Sequence, residues 1–163
     1  MTGKEFYNSS ILPYAGIIIK ICRAYTNNKE EFEDYYQEVC LQIWRSREKF
    51  LGLSEWSTWV YRISLNVCLT NIKKKPTKET IEDENLICDR INADETMENE
   101  QDLSRLYAAI RQLKEMDRAI ILLYLEEKSY QQIAEILGLS ATNIGVRINR
   151  IKEKLTKIIS DQG

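Results

Sequence analysis

Basic and amide side chains recur at helical spacing near the C-terminal end of the chain. Between residues 140 and 158, five basic residues stand against one acidic residue, Glu153, which leaves a net charge of +4. The basic residues are Arg147, Arg150, Lys152, Lys154 and Lys157. Such side chains bind DNA phosphates and read base edges in the major groove. The segment predicts a DNA-binding surface, with a solvated basic helix face as the alternative.

Two short helices joined by a tight turn would position this surface. Ser129 and Gln132 have the spacing of a capping box, Gly138 lies where helices commonly end in a left-handed residue, and Ser140 can cap the second helix. One narrow face of that helix is aliphatic: Ile144, Ile148, Ile151, Leu155 and Ile158. The opposite face and its flank hold Val146, Asn149, Arg150, Glu153, Lys157, Asn143, Arg147 and Lys154. The pattern predicts a helix-turn-helix whose second helix enters the major groove, or an ordinary helical hairpin.

The composition favours an all-α protein of the cytoplasm. Of 163 residues 44% are apolar, whereas two are proline and six are glycine, so turn material for β-structure is scarce. No signal peptide or membrane insertion is expected, because the longest aliphatic run, residues 17–19, ends at Lys20. The chain has no histidine, and its four cysteines form no C-x-x-C pair. We therefore expect reduced thiols, no metal, no cofactor and no catalytic site.

Charge divides the chain into three parts. Residues 1–78 hold 12 basic and 8 acidic groups (+4), residues 79–102 hold one basic and ten acidic groups (−9), and residues 103–163 hold ten basic and seven acidic groups (+3). We expect two small helical domains, residues 1–78 and 103–163, joined by a flexible acidic linker over residues 79–102. Fully extended, the linker would span about 80 Å, so the domains would reach two separated elements of one duplex.

Apolar periodicity predicts the remaining helices. Residues 6–25, 29–47 and 55–75 would form three helices, the last one capped by Ser54. Residues 55–75 combine tryptophans, Asn66 and a lysine run, which suit single-strand nucleic-acid binding, although tryptophans are more often core residues. In the second domain, a helix would start near Leu103, and Asp117 would cap a helix over residues 118–125.

A series of motifs runs through the chain in a fixed order. Asp34-Tyr-Tyr-Gln37-Glu38 leads to Trp44, then come Phe50-x-Gly52-x-Ser54 and Trp56-Ser-Thr58-Trp59-Val-Tyr61-Arg62-Ile-Ser-Leu-Asn66, and finally Gly138-Leu-Ser140 and Arg147-Ile-x-Arg150. Over about residues 5–157 the chain closely resembles the extracytoplasmic-function (ECF) type of bacterial RNA polymerase sigma factor. The resemblance implies a protein without enzymatic activity that binds core RNA polymerase and directs promoter recognition, melting and transcription initiation.

The resemblance also implies partners and site residues. Residues 1–78 would be sigma region two and residues 103–163 sigma region four. Polymerase would be bound through its β′ clamp and β flap, with Asp34, Gln37 and Glu38 at the clamp, although spacing alone makes these three a solvated face. The −10 element would be bound by Ser54, Trp56, Tyr61, Arg62, Asn66 and Lys73, with Asn66 in a pocket for a flipped base. The −35 element would be bound by Asn143, Gly145, Val146, Arg147, Asn149, Arg150 and Lys154. An anti-sigma factor is a further implied partner, and the acidic linker would lie in the basic RNA-exit path of the polymerase.

Four residues depart from the family pattern. Lys114 stands where proline is usual, Gly145 replaces a basic or polar residue, and Tyr35 and Tyr36 replace an aliphatic pair. We expect Gly145 to permit close approach of a backbone while removing a DNA contact. One of the two tyrosines is expected to be partly exposed at the polymerase interface.

Two other classes of protein stay open at this point. A helix-turn-helix repressor or activator, with a sensor or dimerisation domain in its N-terminal half, would bind duplex DNA as a dimer without polymerase. A helical adaptor or anti-sigma-like protein would have no DNA function, and its partner binding would be insensitive to salt.

Overall fold

The described part of the protein, residues 2–74 and 97–162 of a computed structural model, contains helices and no strand. These residues belong to two compact units, one N-terminal and one C-terminal. The predicted all-α class is therefore confirmed. The irregular linker was predicted over residues 79–102, but Met97 to Asp102 begin a helix; residues 79–96 of that prediction lie outside the described ranges.

The described residues of the first unit, 2–74, form four α-helices. They are α1 (Gly3–Phe6), α2 (Ala15–Tyr25), α3 (Lys29–Arg45) and α4 (Trp56–Lys73). A π turn and a 3-10 turn connect α1 to α2 within the helical stretch predicted over residues 6–25. Pro13 lies in the 3-10 turn, where its missing N–H and its ring are incompatible with a continued α-helix. A further 3-10 turn, Arg47–Lys49, follows α3.

Helices α2, α3 and α4 pack around an aliphatic and aromatic core. Asn28 caps α3 by accepting the backbone N–H of Glu31 at 2.9 Å. Tyr35 and Tyr36 are only 7% and 3% exposed, so the expectation that one of them would be partly exposed is wrong. Both lie on the buried stripe of α3, and the Tyr36 hydroxyl is 3.0 Å from the hydroxyl of Tyr7.

The predicted cap of α4 is wrong. Glu55 occupies the N-cap position without a side-chain hydrogen bond, and the Ser54 hydroxyl instead donates to the Glu55 carbonyl at 3.4 Å. The helix ends at Lys73, two residues earlier than expected.

The second unit contains α5 (Met97–Ile110), α6 (Glu115–Leu125), α7 (Tyr130–Leu137) and α8 (Ala141–Gln162). Helix α6 starts three residues before the predicted start, so Asp117 lies inside its first turn and does not cap it. The Arg118 guanidinium holds this junction, since it donates to the carbonyls of Leu113 at 2.9 Å and Arg111 at 2.7 Å. The apolar run at residues 119–125 of α6 suggests burial nearly all round; residues 119–123 are buried, whereas Leu125 is 48% exposed.

The helix-turn-helix is confirmed in its local geometry. The Ser129 hydroxyl accepts the Gln132 N–H at 3.1 Å, and the Gln132 side chain accepts the Ser129 N–H at 2.9 Å, which completes the capping box. Gly138 ends α7 with φ 71°, a left-handed conformation. The Ser140 hydroxyl then caps α8 by accepting the Asn143 N–H at 3.1 Å.

Candidate nucleic-acid interface

The predicted recognition helix, α8, presents an aliphatic stripe inward and polar side chains outward. Four stripe residues are buried, while Ile158 at the end is half-buried: Ile144, Ile148, Ile151 and Leu155. Packing of α5, α6 and α7 against α8 covers this stripe. Val146 is 56% exposed, Arg147 is half-buried, and the remaining predicted contacts are exposed: Asn143, Asn149, Arg150 and Lys154. The fold thus leaves their polar atoms accessible to a major groove.

Gly145 differs in role from the expectation. An added Cβ would lie 3.2 Å from Cε2 of Tyr130, so the close approach at this position is that of a tyrosine ring from α7. The ring itself is 40% exposed beside the outward face of α8. Sequence reasoning missed Tyr130 because no local pattern connects residues on two different helices.

Lys152 contributes to the charge of α8, but its side chain contacts Tyr124 of α6. Its Nζ donates to the Tyr124 hydroxyl at 2.6 Å and stands 4.3 Å from the centre of that ring. This hydrogen bond raises the pKa of Lys152, so its charge is held against α6.

A basic depression lies between the start of α6 and α8. We use this name for a hollow of about 310 Å³ lined by Lys114, Met116, Asp117, Arg147, Arg150, Ile151 and Lys154. Three of its cations were predicted from the helical spacing of α8. Lys114 was missed as a functional residue, because it is 33 positions away from Arg147 in the sequence and joins the cluster only through the fold.

In the first unit, Asn66 opens onto a second hollow, which we call the amide depression. It measures about 500 Å³ and is lined by Glu38, Gln42, Ser46, Trp59, Ile63, Asn66, Val67, Thr70, Asn71 and Lys74. Three amide side chains, two hydroxyls and one indole surround the same space. Among them only Asn66 and Glu38 were predicted as site residues. Thr70 and Lys74 follow Asn66 at intervals of four residues, and this helical spacing predicts that all three lie on one face of α4.

An aromatic cluster lies beside the amide depression. The Trp56 ring contacts Phe6, Phe50 and Trp59 at centroid distances of 6.2, 5.0 and 5.1 Å. The Trp56 indole N–H donates to the Ser10 carbonyl at 2.7 Å, so this ring anchors the loop before α4. Trp59 belongs both to the cluster and to the lining of the amide depression.

The other residues predicted at the −10 element are dispersed. Arg62 and Lys73 are exposed on α4, and Ser54 is half-buried in the preceding loop. Tyr61 is 4% exposed, so it would have to leave the core to touch DNA. Neither Ser54 nor Trp56 lines the amide depression with Asn66. In the loop before α4, Leu51 and Leu53 are 77% and 90% exposed. They lie on either side of Gly52, which has φ 74°.

The residues predicted to meet polymerase lie along α3. Asp34 and Gln37 are exposed, whereas Glu38 is half-buried and accepts the Gln42 amide N–H at 3.1 Å. Gln37 also borders an apolar groove of about 430 Å³ formed with the N-terminal segment, where Phe6, Tyr7 and Trp44 contribute rings. Glu38 therefore connects the predicted polymerase face to the amide depression.

The protein thus has two helical units. One carries a basic recognition helix, and the other carries an amide-rich hollow beside an aromatic cluster. These features are typical of a DNA-binding protein. Comparison with known families gives the identity within that class. Residues 11–76 match Sigma-70 region 2, and residues 103–155 match Sigma-70 region 4. The chain is 31% identical to the ECF RNA polymerase sigma-E factor of Haemophilus influenzae, over 93% of this chain and 86% of that protein.

Two further comparisons agree with this match. The ECF RNA polymerase sigma factor SigW of Bacillus subtilis is 26% identical over 91% of this chain and 86% of its own length. The fold resembles that of the sigma factor RpoE from Bartonella quintana, solved with the anti-sigma factor NepR, with a TM-score of 0.75 and 18% identity over 96% of this chain and 98% of that one.

The chain belongs to the ECF family of RNA polymerase sigma factors. It is therefore a sigma factor that directs transcription initiation by RNA polymerase, and it is not an enzyme. In the part of the chain that the structure describes, no helix is long and apolar enough to cross a membrane.

Proposed function

We propose that the two units divide promoter recognition between them. Residues 1–78 bind core polymerase and the −10 element, residues 103–163 bind the −35 element, and residues 79–102 join them. The observation that carries this proposal is the contrast between the two surfaces. The hollow beside Asn66 is rich in amides and borders aromatic rings, whereas the outward face of α8 is rich in cations.

The amide depression suits a base that has been flipped out of the duplex. Flipped bases are read through hydrogen bonds to their Watson–Crick edge and through stacking on aromatic rings. Asn66, Gln42 and Asn71 offer both donors and acceptors, and Trp59 offers an aromatic surface in the same hollow. Arg62 and Lys73 are exposed cations on the same helix and supply contacts to the phosphate backbone. Trp56 contributes indirectly, because it anchors the loop before α4. Tyr61 is buried, so its contribution is also indirect, through the core and not through a DNA contact.

The exposed face of α3 is the proposed contact with the β′ clamp. Asp34 and Gln37 are accessible there, and Glu38 lies at the edge of the amide depression. The proposed polymerase contact would then lie next to the proposed site of strand separation. Polymerase binding would then position the melted base at the hollow.

The outward face of α8 is the proposed reader of the −35 element. Asn143, Asn149 and Arg150 are exposed and carry groups that form paired hydrogen bonds with base edges. Arg147 and Lys154 line the basic depression and contact phosphates, while Val146 offers an apolar contact. Gly145 acts indirectly, since it leaves room for the Tyr130 ring. Replacing Arg150 by alanine should weaken −35 recognition by about 1–3 kcal/mol.

The protein is proposed to act in the cytoplasm, where it meets polymerase and the genome. An anti-sigma factor is a proposed partner, because the similar protein RpoE was solved in complex with NepR. The β flap of polymerase is the proposed partner of the second unit.

Co-purification with core polymerase, followed by run-off transcription from a pool of genomic promoters, tests this function. We expect retention of polymerase and transcripts that start downstream of a shared pair of sequence elements. A chain that ignores polymerase but binds duplex DNA as a dimer would contradict the proposal and favour a repressor.

A further inference from the structure

Lys114 brings a fourth cation into the basic depression. Lys114 lies in the connection before α6, while Arg147, Arg150 and Lys154 project from α8. One acidic side chain, Asp117, borders the same hollow, so the five charged residues have a net charge of +3. Cations gathered around one hollow repel one another, and an anion placed between them removes that cost.

The backbone beside Lys114 is held in a fixed conformation. The Arg118 side chain donates to the carbonyls of Leu113 and Arg111, on the turn that precedes Lys114. The Lys114 backbone is extended, with φ −65° and ψ 156°, and the side chain is exposed. A lysine on a fixed turn loses less freedom on binding than a lysine on a mobile loop. Its ammonium group binds a phosphate as a point charge.

We propose that Lys114 binds a backbone phosphate of the DNA at the −35 element, together with Arg147 and Lys154. This inference rests on the proposed function of α8. It adds a contact from outside the recognition helix, which fixes the register of that helix on the duplex without reading a base. Lys114 would then add a DNA contact at a position where the family usually has proline.

Phosphate neutralisation combined with substitution tests this contact. Holoenzyme assembled with the full chain is bound to its promoter duplex, in which single phosphates flanking the −35 element are replaced by uncharged methylphosphonates. Wild-type protein should lose affinity severalfold at one position, and Lys114→Gln should lose clearly less there, because only Arg147 and Lys154 still contact that phosphate. Lys114→Gln should also lower the slope of log K against log salt, by at most about 0.9, without changing base preference.

Arg105→Gln is the matched control. Arg105 is an exposed cation on α5 of the same unit and does not line the basic depression. It should leave the phosphate profile as in the wild type. An equal response of Arg105→Gln would reveal a general charge effect and overturn the proposal.

A failure of the Lys114 contact can be distinguished from a failure of the proposed function. Additive losses at every phosphate, with −35 discrimination intact, would remove Lys114 from the interface and leave the proposed function standing. If the wild-type holoenzyme itself does not discriminate between −35 sequences, both the proposed function and the Lys114 contact are overturned. A free inorganic phosphate site, in which Lys114→Gln changes phosphate binding but not DNA binding, would also overturn the proposal.

Discussion

The Asn66 amide provides the most direct test of the amide depression. Asn66→Ala removes a donor and an acceptor from the hollow, while α3 and its exposed acidic face stay intact. We expect promoter opening to weaken by about 1–3 kcal/mol, because the flipped base loses its hydrogen bonds. Polymerase affinity should stay close to that of the wild type. Permanganate reactivity of unpaired thymines measures opening, and co-purification measures polymerase binding.

Asn8→Ala is a suitable control for this experiment. Asn8 is an exposed amide in the same unit and does not line the hollow. It should leave opening unchanged. Equal losses of opening and of polymerase affinity in Asn66→Ala would reject the role of a base pocket.

Gly145 gives a prediction about stability. Alanine has about 1 kcal/mol more helix propensity than glycine, but its Cβ would lie 3.2 Å from the Tyr130 ring. The ring is 40% exposed and can shift outward by a few tenths of an ångström. We therefore expect Gly145→Ala to stabilise α8 by roughly 0.5–1 kcal/mol. Amide hydrogen exchange along α8 measures the gain; faster exchange would mean that the Tyr130 ring cannot yield.

Individual site residues were only partly predictable from the sequence. Helical spacing placed Asn149 and Arg150 outward, because α8 is long and regular. It did not reveal that Tyr61 is buried, since residues on α4 meet the core on more than one side. Contacts between distant segments, such as Gly145 with Tyr130, depend on tertiary packing that no local pattern encodes.

At the scale of the element, the capping box of α7 should control how well the helix-turn-helix forms. Ser129→Ala removes the hydroxyl that accepts the Gln132 N–H, and should destabilise the second unit by about 1 kcal/mol. Ser129→Gly should cost only a few tenths of a kcal/mol, since glycine suits the N-cap backbone. Thermal unfolding followed by circular dichroism ranks the variants. If alanine and glycine cost the same, the hydroxyl contact does not stabilise α7.

The contact between α2 and α4 predicts sensitivity to alkali. Cys22 is fully buried, and burial first, then its hydrogen bond with Cys68, raises the pKa of the Cys22 thiol well above its usual range. Above a pH of about 8.5 the unfolded state loses this proton while the folded state keeps it, so stability falls as pH rises towards the folded pKa. The slope from this thiol is at most about 1.4 kcal/mol per pH unit.

Denaturant unfolding between pH 7.5 and 10 measures that slope. Tryptophan fluorescence reports on the first unit alone, because all three tryptophans, Trp44, Trp56 and Trp59, lie in it. Cys22→Ala should be less stable than the wild type near pH 7.5 because it leaves a cavity, yet its stability should lack the alkaline loss caused by this thiol. An unchanged slope in Cys22→Ala would assign the alkaline loss to other groups.

Elements were predictable where their signals are local. The caps of α7 and α8 involve residues three positions apart, and both were predicted correctly. The start of α6 was missed because Arg118 secures the preceding turn through carbonyls five and seven residues away. The cap of α4 was predicted one residue too early, at Ser54, and the first residue of this helix, Trp56, donates to the Ser10 carbonyl, a contact 46 residues apart in the sequence.

At the scale of the whole molecule, the all-α class and the sigma-factor family followed from composition and motif order, and both are confirmed. The exact extent of the two domains stays a prediction. The charge segregation between them has a functional consequence that the full chain can test. Residues 79–96 carry seven acidic groups and one basic group. If this segment lies in the basic RNA-exit path, its charge should matter more than its order of residues.

Replacing the seven acids by their amides is therefore expected to lower promoter-specific transcription while polymerase is still retained. The acids are Glu79, Glu82, Asp83, Glu84, Asp89, Asp94 and Glu95. The matched control is a chain with residues 79–96 shuffled, which keeps length and charge and should transcribe as the wild type does. Run-off transcription at several salt concentrations measures the effect of the charge. Salt screens the acidic groups of the wild type and of the shuffled chain, whereas the amide variant has no such groups to screen. Transcription by the amide variant at the wild-type level would mean that the segment acts as a tether, whose length matters and whose charge does not.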